Sequence, residues 1–122
     1  MNTKKFGDYG EQIAVEYLKS CGFKILERNF KACGSEADII CELTKPDGIS
    51  EKGTIVFVEV KNRSHERFGL PSEAVGAAKR RQYLKAANAY IVLKKKVNTD
   101  IRFDVIEIIG REINHIKAAF SG

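Results

Sequence analysis

Thr54–Val60, TIVFVEV, is β-branched and aromatic almost throughout, and it reads as a buried strand, with Lys61 directly after it. One acid, Glu59, interrupts it. Side chains alternate along a strand, so Glu59 and Lys61 leave one face while Val58 and Val60 enter the other. About twenty residues upstream stands Gly34-Ser35-Glu36-Ala37-Asp38, the opening of a second strand predicted from about Glu36 to Leu43. Glu36 and Asp38 share one face of it. Thr44 to Gly53, with Pro46, Asp47, Gly48 and Gly53, reads as a hairpin loop. If that loop closes a hairpin, two carboxylates and an ammonium meet on one side of a sheet.

Outward from this pair the pattern continues. A first helix is predicted after Asp8, with Asp8 and Glu11 at capping-box spacing and Gly22 as its stop. Ala14, Val15, Leu18 and Cys21 fall on one face of it. Phe23 to Phe30 is an extended segment. Phe68-Gly69-Leu70-Pro71 breaks the chain before a second helix, roughly Ser72 to Leu93, which ends at Lys94-Lys95-Lys96, where cations suit the helix dipole. Ile101 to Ile109 alternates as a strand, and Gly110-Arg111 turns into a short last one around Ile113 to Ile116. The order α-β-β-β-α-β-β describes an α/β domain, a mixed sheet with helices packed on it, and residues 1–122 read as one domain.

Composition bounds the partners. Of 122 residues, 43% are hydrophobic and 30% charged, and the formal net charge is +5, compatible with a polyanionic partner. No stretch approaches the roughly 20 apolar residues of a membrane span. Lys4 and Lys5 have no apolar run behind them, so no secretory signal is expected and the expected location is cytoplasmic. Cys21, Cys33 and Cys41 are too few and scattered for a disulfide framework, and are expected to pack as small hydrophobes. With only His65 and His115 beside them, a structural zinc site is not expected. Any metal should be a hard cation held by carboxylates.

The carboxylate cluster suits that cation. Mg²⁺ takes oxygen ligands, often one or two carboxylates plus a substrate phosphate. It lowers the pKa of water and neutralises charge developing on phosphorus. A lysine beside it could orient the water or stabilise the transition state, and could act as base only with a well-depressed pKa. The bland alternative is a salt bridge on a solvated sheet face, which Glu-x-Lys on a strand often forms.

Several segments taken in order carry a resemblance: GDYGEQIAVEY (Gly7–Tyr17), Arg28-Asn29-Phe30, GSEADII (Gly34–Ile40), FVEVKNR (Phe57–Arg63), FGLPSEAV (Phe68–Val75), Lys79-Arg80-Arg81, Ala86–Tyr90 and RFDV (Arg102–Val105). Together they resemble the small bacterial YraN-like family, described as endonucleases of the PD-(D/E)XK superfamily and distantly similar to archaeal Holliday junction resolvases. The resemblance implies a restriction-endonuclease-like fold and a metal-dependent endonuclease acting on DNA, including branched or otherwise structured DNA. Asp38 resembles the motif's first acid, Glu59 and Lys61 its E-x-K, and Glu11 the first-helix glutamate of resolvase-like members. The implied catalytic set is Asp38, Glu59, Lys61 and Glu11. The implied metal set for Mg²⁺ or Mn²⁺ is Asp38, Glu59, Glu11 and Val60. Ala37 stands where a larger aliphatic residue is usual, and no proline precedes Asp38. Neither departure removes a ligand.

Other residues keep two readings. Glu11 caps the first helix with Asp8 or is aimed inward by its apolar stripe. Glu36, an accessory to Asp38 on the same face, binds metal through water or tunes the site. Asp104 and Arg102 read as a cross-strand ion pair, and His65 as a loop histidine outside the site. Lys79 and Gln82, three apart on one helix face, with Arg80 and Arg63, are candidates for phosphate contact, the alternative being a solvated face. Tyr83 and Tyr90 read as packing residues. Two further functions stay open: a non-catalytic nucleic-acid-binding module on a nuclease scaffold, and an RNA-directed nuclease. A homodimer is expected only by analogy with resolvases, which are two-fold dimers.

Overall fold

Five strands form one sheet in the order β1-β2-β3-β4-β5: β1 (Phe23–Ala32), β2 (Ser35–Leu43), β3 (Thr54–Arg63), β4 (Ile101–Ile109) and β5 (Glu112–Phe120). A computed structural model gives these coordinates and describes residues 3–43, 53–63, 77–95 and 99–120. Two helices are described, α1 (Thr3–Ser20) and α2 (Ala77–Leu93). β1–β2, β2–β3 and β4–β5 pair antiparallel, whereas β3 and β4 run parallel. A parallel pair needs a crossover, and α2 lies within the connection between β3 and β4. The sheet is therefore mixed, as the element order required.

Helices on both faces explain the unbroken apolar run of β3. Ile55, Val56, Phe57 and Val58 are all 0% exposed. Val56 and Val58 pack with Ala14, Val15 and Leu18 of α1, joined by Ile39, Cys41, Ile106 and Ile108. Ile55 and Phe57 face the other way, against Tyr83, Ala86, Ala87 and Tyr90 of α2. Phe57 stacks on Phe103 at 5.6 Å between centroids and meets Tyr90 edge-on at 6.0 Å. Burying one such ring contributes about 2–3 kcal/mol. Tyr83 and Tyr90 are packing residues here.

Some sequence expectations change. α1 starts at Thr3, so Asp8 lies inside the helix and is not its N-cap, because a capping residue must be non-helical. Gly10 is accommodated in that helix by its close approach to Asn62 of β3, despite an intrinsic helix cost of about 1 kcal/mol. β5 is longer than Ile113–Ile116, running nine residues from Glu112 to Phe120. Of the cysteines, only Cys41 is a core residue; Cys21 and Cys33 are exposed in turns. Ser72–Gly76, Phe68–Pro71, His65 and most of the Thr44–Gly53 loop lie outside the described residues. The hairpin itself is seen in the register Leu43↔Thr54. Among the described residues no helix is long and apolar enough to cross a membrane.

Candidate functional site

The β2–β3 ladder runs from Leu43↔Thr54 to Ile39↔Val58 and ends there. Beyond that point strict alternation on β2 fails: Ala37 packs with the α2 core and Ile39 with the α1 core. Between them Asp38 turns toward β3, and its Oδ2 accepts the Val60 N–H at 2.9 Å. The turn feeding β2 is tight. Cys33 and Gly34 both have positive φ, 53° and 74°, between the paired residues Ala32 and Ser35, the form that suits a two-residue hairpin loop.

Glu59 sits across from Asp38. Val58 and Val60 belong to the α1 face, so Glu59 and Lys61 project toward α2, and Lys79 of α2 reaches them. Glu59 Oε1 lies 3.4 Å from Lys79 Nζ and 3.8 Å from Lys61 Nζ. The residue is 5% exposed, and its Oε2 is buried without a hydrogen-bond partner. Burial pushes the Asp38 carboxyl above its ordinary range; the Val60 N–H opposes this, the charges of Glu59 and Glu36 add to it, and Lys79 pulls the other way. Two neighbouring carboxylates that repel, one with an oxygen left unsatisfied, make a donor set that fits a hard divalent cation.

A pocket of about 430 Å³ opens beside this pair, lined among others by Lys31, Ser35, Glu36, Asp38, Lys79 and Gln82. Lys79 and Gln82 thus share one face, and Glu36 joins Asp38 at the rim. Arg80 is exposed on α2, on a different side from Lys79 by helical spacing. The side chain of Arg63 lies outside the described residues. Glu11, half-buried, belongs to the helix on the opposite face of the sheet. Among the described residues no group of three or more His, Cys, Asp and Glu side chains is placed to hold a metal ion, so Glu11 is not gathered with Asp38 and Glu59 into such a group.

Two features escaped the sequence reading. Glu107 is 0% exposed and stands beside Lys61 in the parallel register of β3 and β4. Its signal was the same as that of Glu59, an acid inside an apolar strand, IRFDVIEII. The second is a buried clasp. Asp104, 1% exposed, accepts Nε and Nη2 of Arg102 at 2.8 Å each and the Ala118 N–H at 3.0 Å. The Arg102 pair is within one strand, two residues apart, not cross-strand. His115 Nε2 lies 2.7 Å from Asp104 Oδ2, and Tyr17 O–H 3.0 Å from Nδ1. A carboxylate only accepts, so Nε2 carries a proton toward Asp104, and Nδ1 and the Tyr17 hydroxyl share the second hydrogen bond. The clasp ties α1 to β4 and β5, and no sequence spacing announces a bond between residues 17 and 115.

Residues 10–108 match the family described as uncharacterised protein family UPF0102. Over 122 residues the chain is 45% identical to a UPF0102 protein of Clostridioides difficile, with 98% of this chain and 100% of that one covered. The chain belongs to the UPF0102 family. Other UPF0102 relatives are found in Geotalea daltonii, 45% identical over 124 residues (98% and 91% covered), and Persephonella marina, 40% identical over 114 residues (93% and 91% covered). The UPF0102 match includes Glu11, Asp38, Glu59, Lys61, Lys79 and Glu107. Among solved structures, SfsA of Pyrococcus furiosus in complex with Ca²⁺ is similar over 95% of this chain and 64% of that one, at 15% identity and a TM-score of 0.35, too loose a superposition to assign a fold.

Proposed function

We propose that this UPF0102 chain is a divalent-metal-dependent endonuclease on a restriction-endonuclease-like PD-(D/E)XK scaffold, hydrolysing phosphodiester bonds in DNA. One observation carries the reading: Asp38 and Glu59 come together where β2 and β3 part, with Lys61 beside them and a buried Glu59 oxygen lacking a partner. A salt bridge on a solvated strand would leave neither the burial nor the orphaned oxygen. Asp38 and Glu59 would hold Mg²⁺ or Mn²⁺, with the Val60 main chain next to both. When bound, such a cation supplies charge neutralisation at the phosphoryl oxygens and lowers the pKa of water.

The protein's own groups have separable tasks. The Val60 N–H holds Asp38 through Oδ2 and so orients the carboxylate at β3 beside Glu59. Lys61, the more buried of the two lysines on Glu59, stays on the strand that carries the acid and can donate to a phosphate oxygen or to the attacking water. It needs no depressed pKa for that task. The pocket beside Asp38 offers Lys31, Gln82 and the Ser35 hydroxyl to a phosphodiester backbone.

The test is a panel of linear, single-stranded, flapped and four-way DNAs, with RNA counterparts, incubated with Mg²⁺ or Mn²⁺. Metal-dependent cleavage lost in both Asp38→Asn and Glu59→Gln supports the reading. Cleavage that survives both substitutions, or binding of every substrate with cleavage of none, defeats it and leaves the non-catalytic binding module. Cleavage confined to the RNA arms would replace DNA by RNA as substrate.

A further inference from the structure

Lys79 stands where a cation would. Its ammonium is nearer to Glu59 Oε1 than that of Lys61, 3.4 against 3.8 Å. Without a metal, Lys61 and Lys79 together balance Asp38 and Glu59. The two lysines are not equivalent. The Lys79 side chain is 44% exposed and that of Lys61 27%, and Lys79 springs from a different element, the first described turn of α2. It also lies 5.8 Å from the centroid of the Tyr83 ring, a face that can hold an ammonium. It lines the pocket shared by Lys31, Ser35 and Gln82. An ammonium that leaves Glu59 therefore has a place to go.

We propose that Lys79 is a displaceable counter-ion: it covers the Glu59 carboxylate while no metal is bound, and a divalent cation expels it into the neighbouring pocket, where it takes a backbone phosphate of the substrate. This rests on the metal-site reading above. The physical reason is like-charge repulsion: a divalent ion on Glu59 repels the ammonium nearest that carboxylate, and Lys79 is both the nearer and the more exposed of the two lysines. Expulsion couples the two halves of the site. Metal entry frees the cation that phosphate needs, and in the metal-free protein the acids do not face an incoming polyanion uncompensated.

Calorimetric Mn²⁺ titration of the whole chain, without nucleic acid, separates the possibilities. Wild type is compared with Lys79→Gln, Lys79→Arg, Glu59→Gln and Lys85→Gln, the last removing one exposed charge elsewhere on α2. Loss of the competitor should tighten Mn²⁺ binding about fivefold in Lys79→Gln, the scale of a partly exposed ion pair, while Lys79→Arg and Lys85→Gln stay near wild type. With Ca²⁺ in place of Mn²⁺, the logarithmic salt slope for a short single-stranded DNA should fall by about one contact, ~0.7, in Lys79→Gln.

If Lys79→Gln binds Mn²⁺ no more tightly than Lys85→Gln while Glu59→Gln loses binding, the metal site stands and the counter-ion role is overturned. If Glu59→Gln binds Mn²⁺ as wild type does, or neither wild type nor Lys79→Gln binds it, the metal-site reading falls and this proposal with it. An unchanged salt slope overturns the phosphate half. Circular dichroism of each variant at the titration temperature establishes that all are folded.

Discussion

Asp38 accepts the backbone N–H of Val60 through Oδ2 at 2.9 Å, making with a side chain the β2–β3 link that the backbone ladder stops making after Ile39↔Val58. The bond brings the carboxylate to β3 beside Glu59, and its cost is visible in the acid itself. Burial and the Glu59 charge raise the Asp38 pKa despite the N–H bond. A group whose folded pKa is raised favours folding in its protonated form, and that contribution is lost as pH rises through the folded value.

Asp38→Asn can keep an oxygen on the Val60 N–H while removing the charge. Metal-free, it should melt at or above wild type at neutral pH, and the gap should close as pH falls through the raised Asp38 pKa. Asp38→Ala also strands the N–H, and should be less stable than the Asn variant by about 1 kcal/mol. Thermal melts in chelator at several pH values read both. An Asn variant less stable than wild type at neutral pH and unaffected by acid would contradict the assignment.

Asp104 has the opposite sign. Burial pushes its carboxyl up, but the bonds from His115, Arg102 and the Ala118 N–H outweigh that and hold it below the ordinary range. Its stabilisation is present above the unfolded value of about 3.9 and is lost as pH falls through the lowered folded value. Asp104→Asn should cost about 2 kcal/mol at neutral pH, and its deficit against wild type should shrink at strongly acid pH. Tyr17→Phe removes one bond at the far end of the clasp and should cost about 1 kcal/mol. Urea titrations at neutral and acid pH measure these differences.

Gly10 lets α1 approach β3 closely at Asn62. A Cβ there would lie 2.8–2.9 Å from Nδ2, Cβ and Cγ of Asn62 on β3. Alanine in a helix interior ordinarily gains about 1 kcal/mol over glycine, yet Gly10→Ala should lose about 1–2 kcal/mol through overpacking. Combining it with Asn62→Ala should cost less than the sum of the two single changes. Full additivity in denaturant melts would show that the contact does not limit the approach of α1.

The cysteines divide by burial. The Cys41 thiol is pushed up to about 12 by burial, whereas Cys21 and Cys33 are exposed. Since the thiolate is the reactive form, a thiol reagent at neutral pH should modify two sites in the native protein. The third should react only in denaturant. Peptide mapping that finds Cys41 labelled as fast as Cys33 would contradict the burial.

The strands were legible because their chemistry is local. The apolar run around Phe57 could only be a covered strand, and the acids within it stood out against that background. Lys79 and Gln82 were rightly put on one helix face by spacing alone. The start of α1 was misplaced, because Asp8 and Glu11 have the spacing of a capping box while the helix already runs from Thr3. Glu107 carried the same signal as Glu59 and was passed over.

From its residues alone this chain determined an α/β domain, a β2–β3 hairpin and an acid pair flanked by a lysine, since periodicity and turn chemistry are written in neighbours. Tertiary structure alone decided that Asp38 turns in-plane onto Val60, that Lys79 rather than solvent covers Glu59, and that Tyr17, His115 and Asp104 close a clasp. Those contacts join residues 11 to 98 positions apart, and their energies depend on burial and on charges brought together by the fold, which no local pattern encodes.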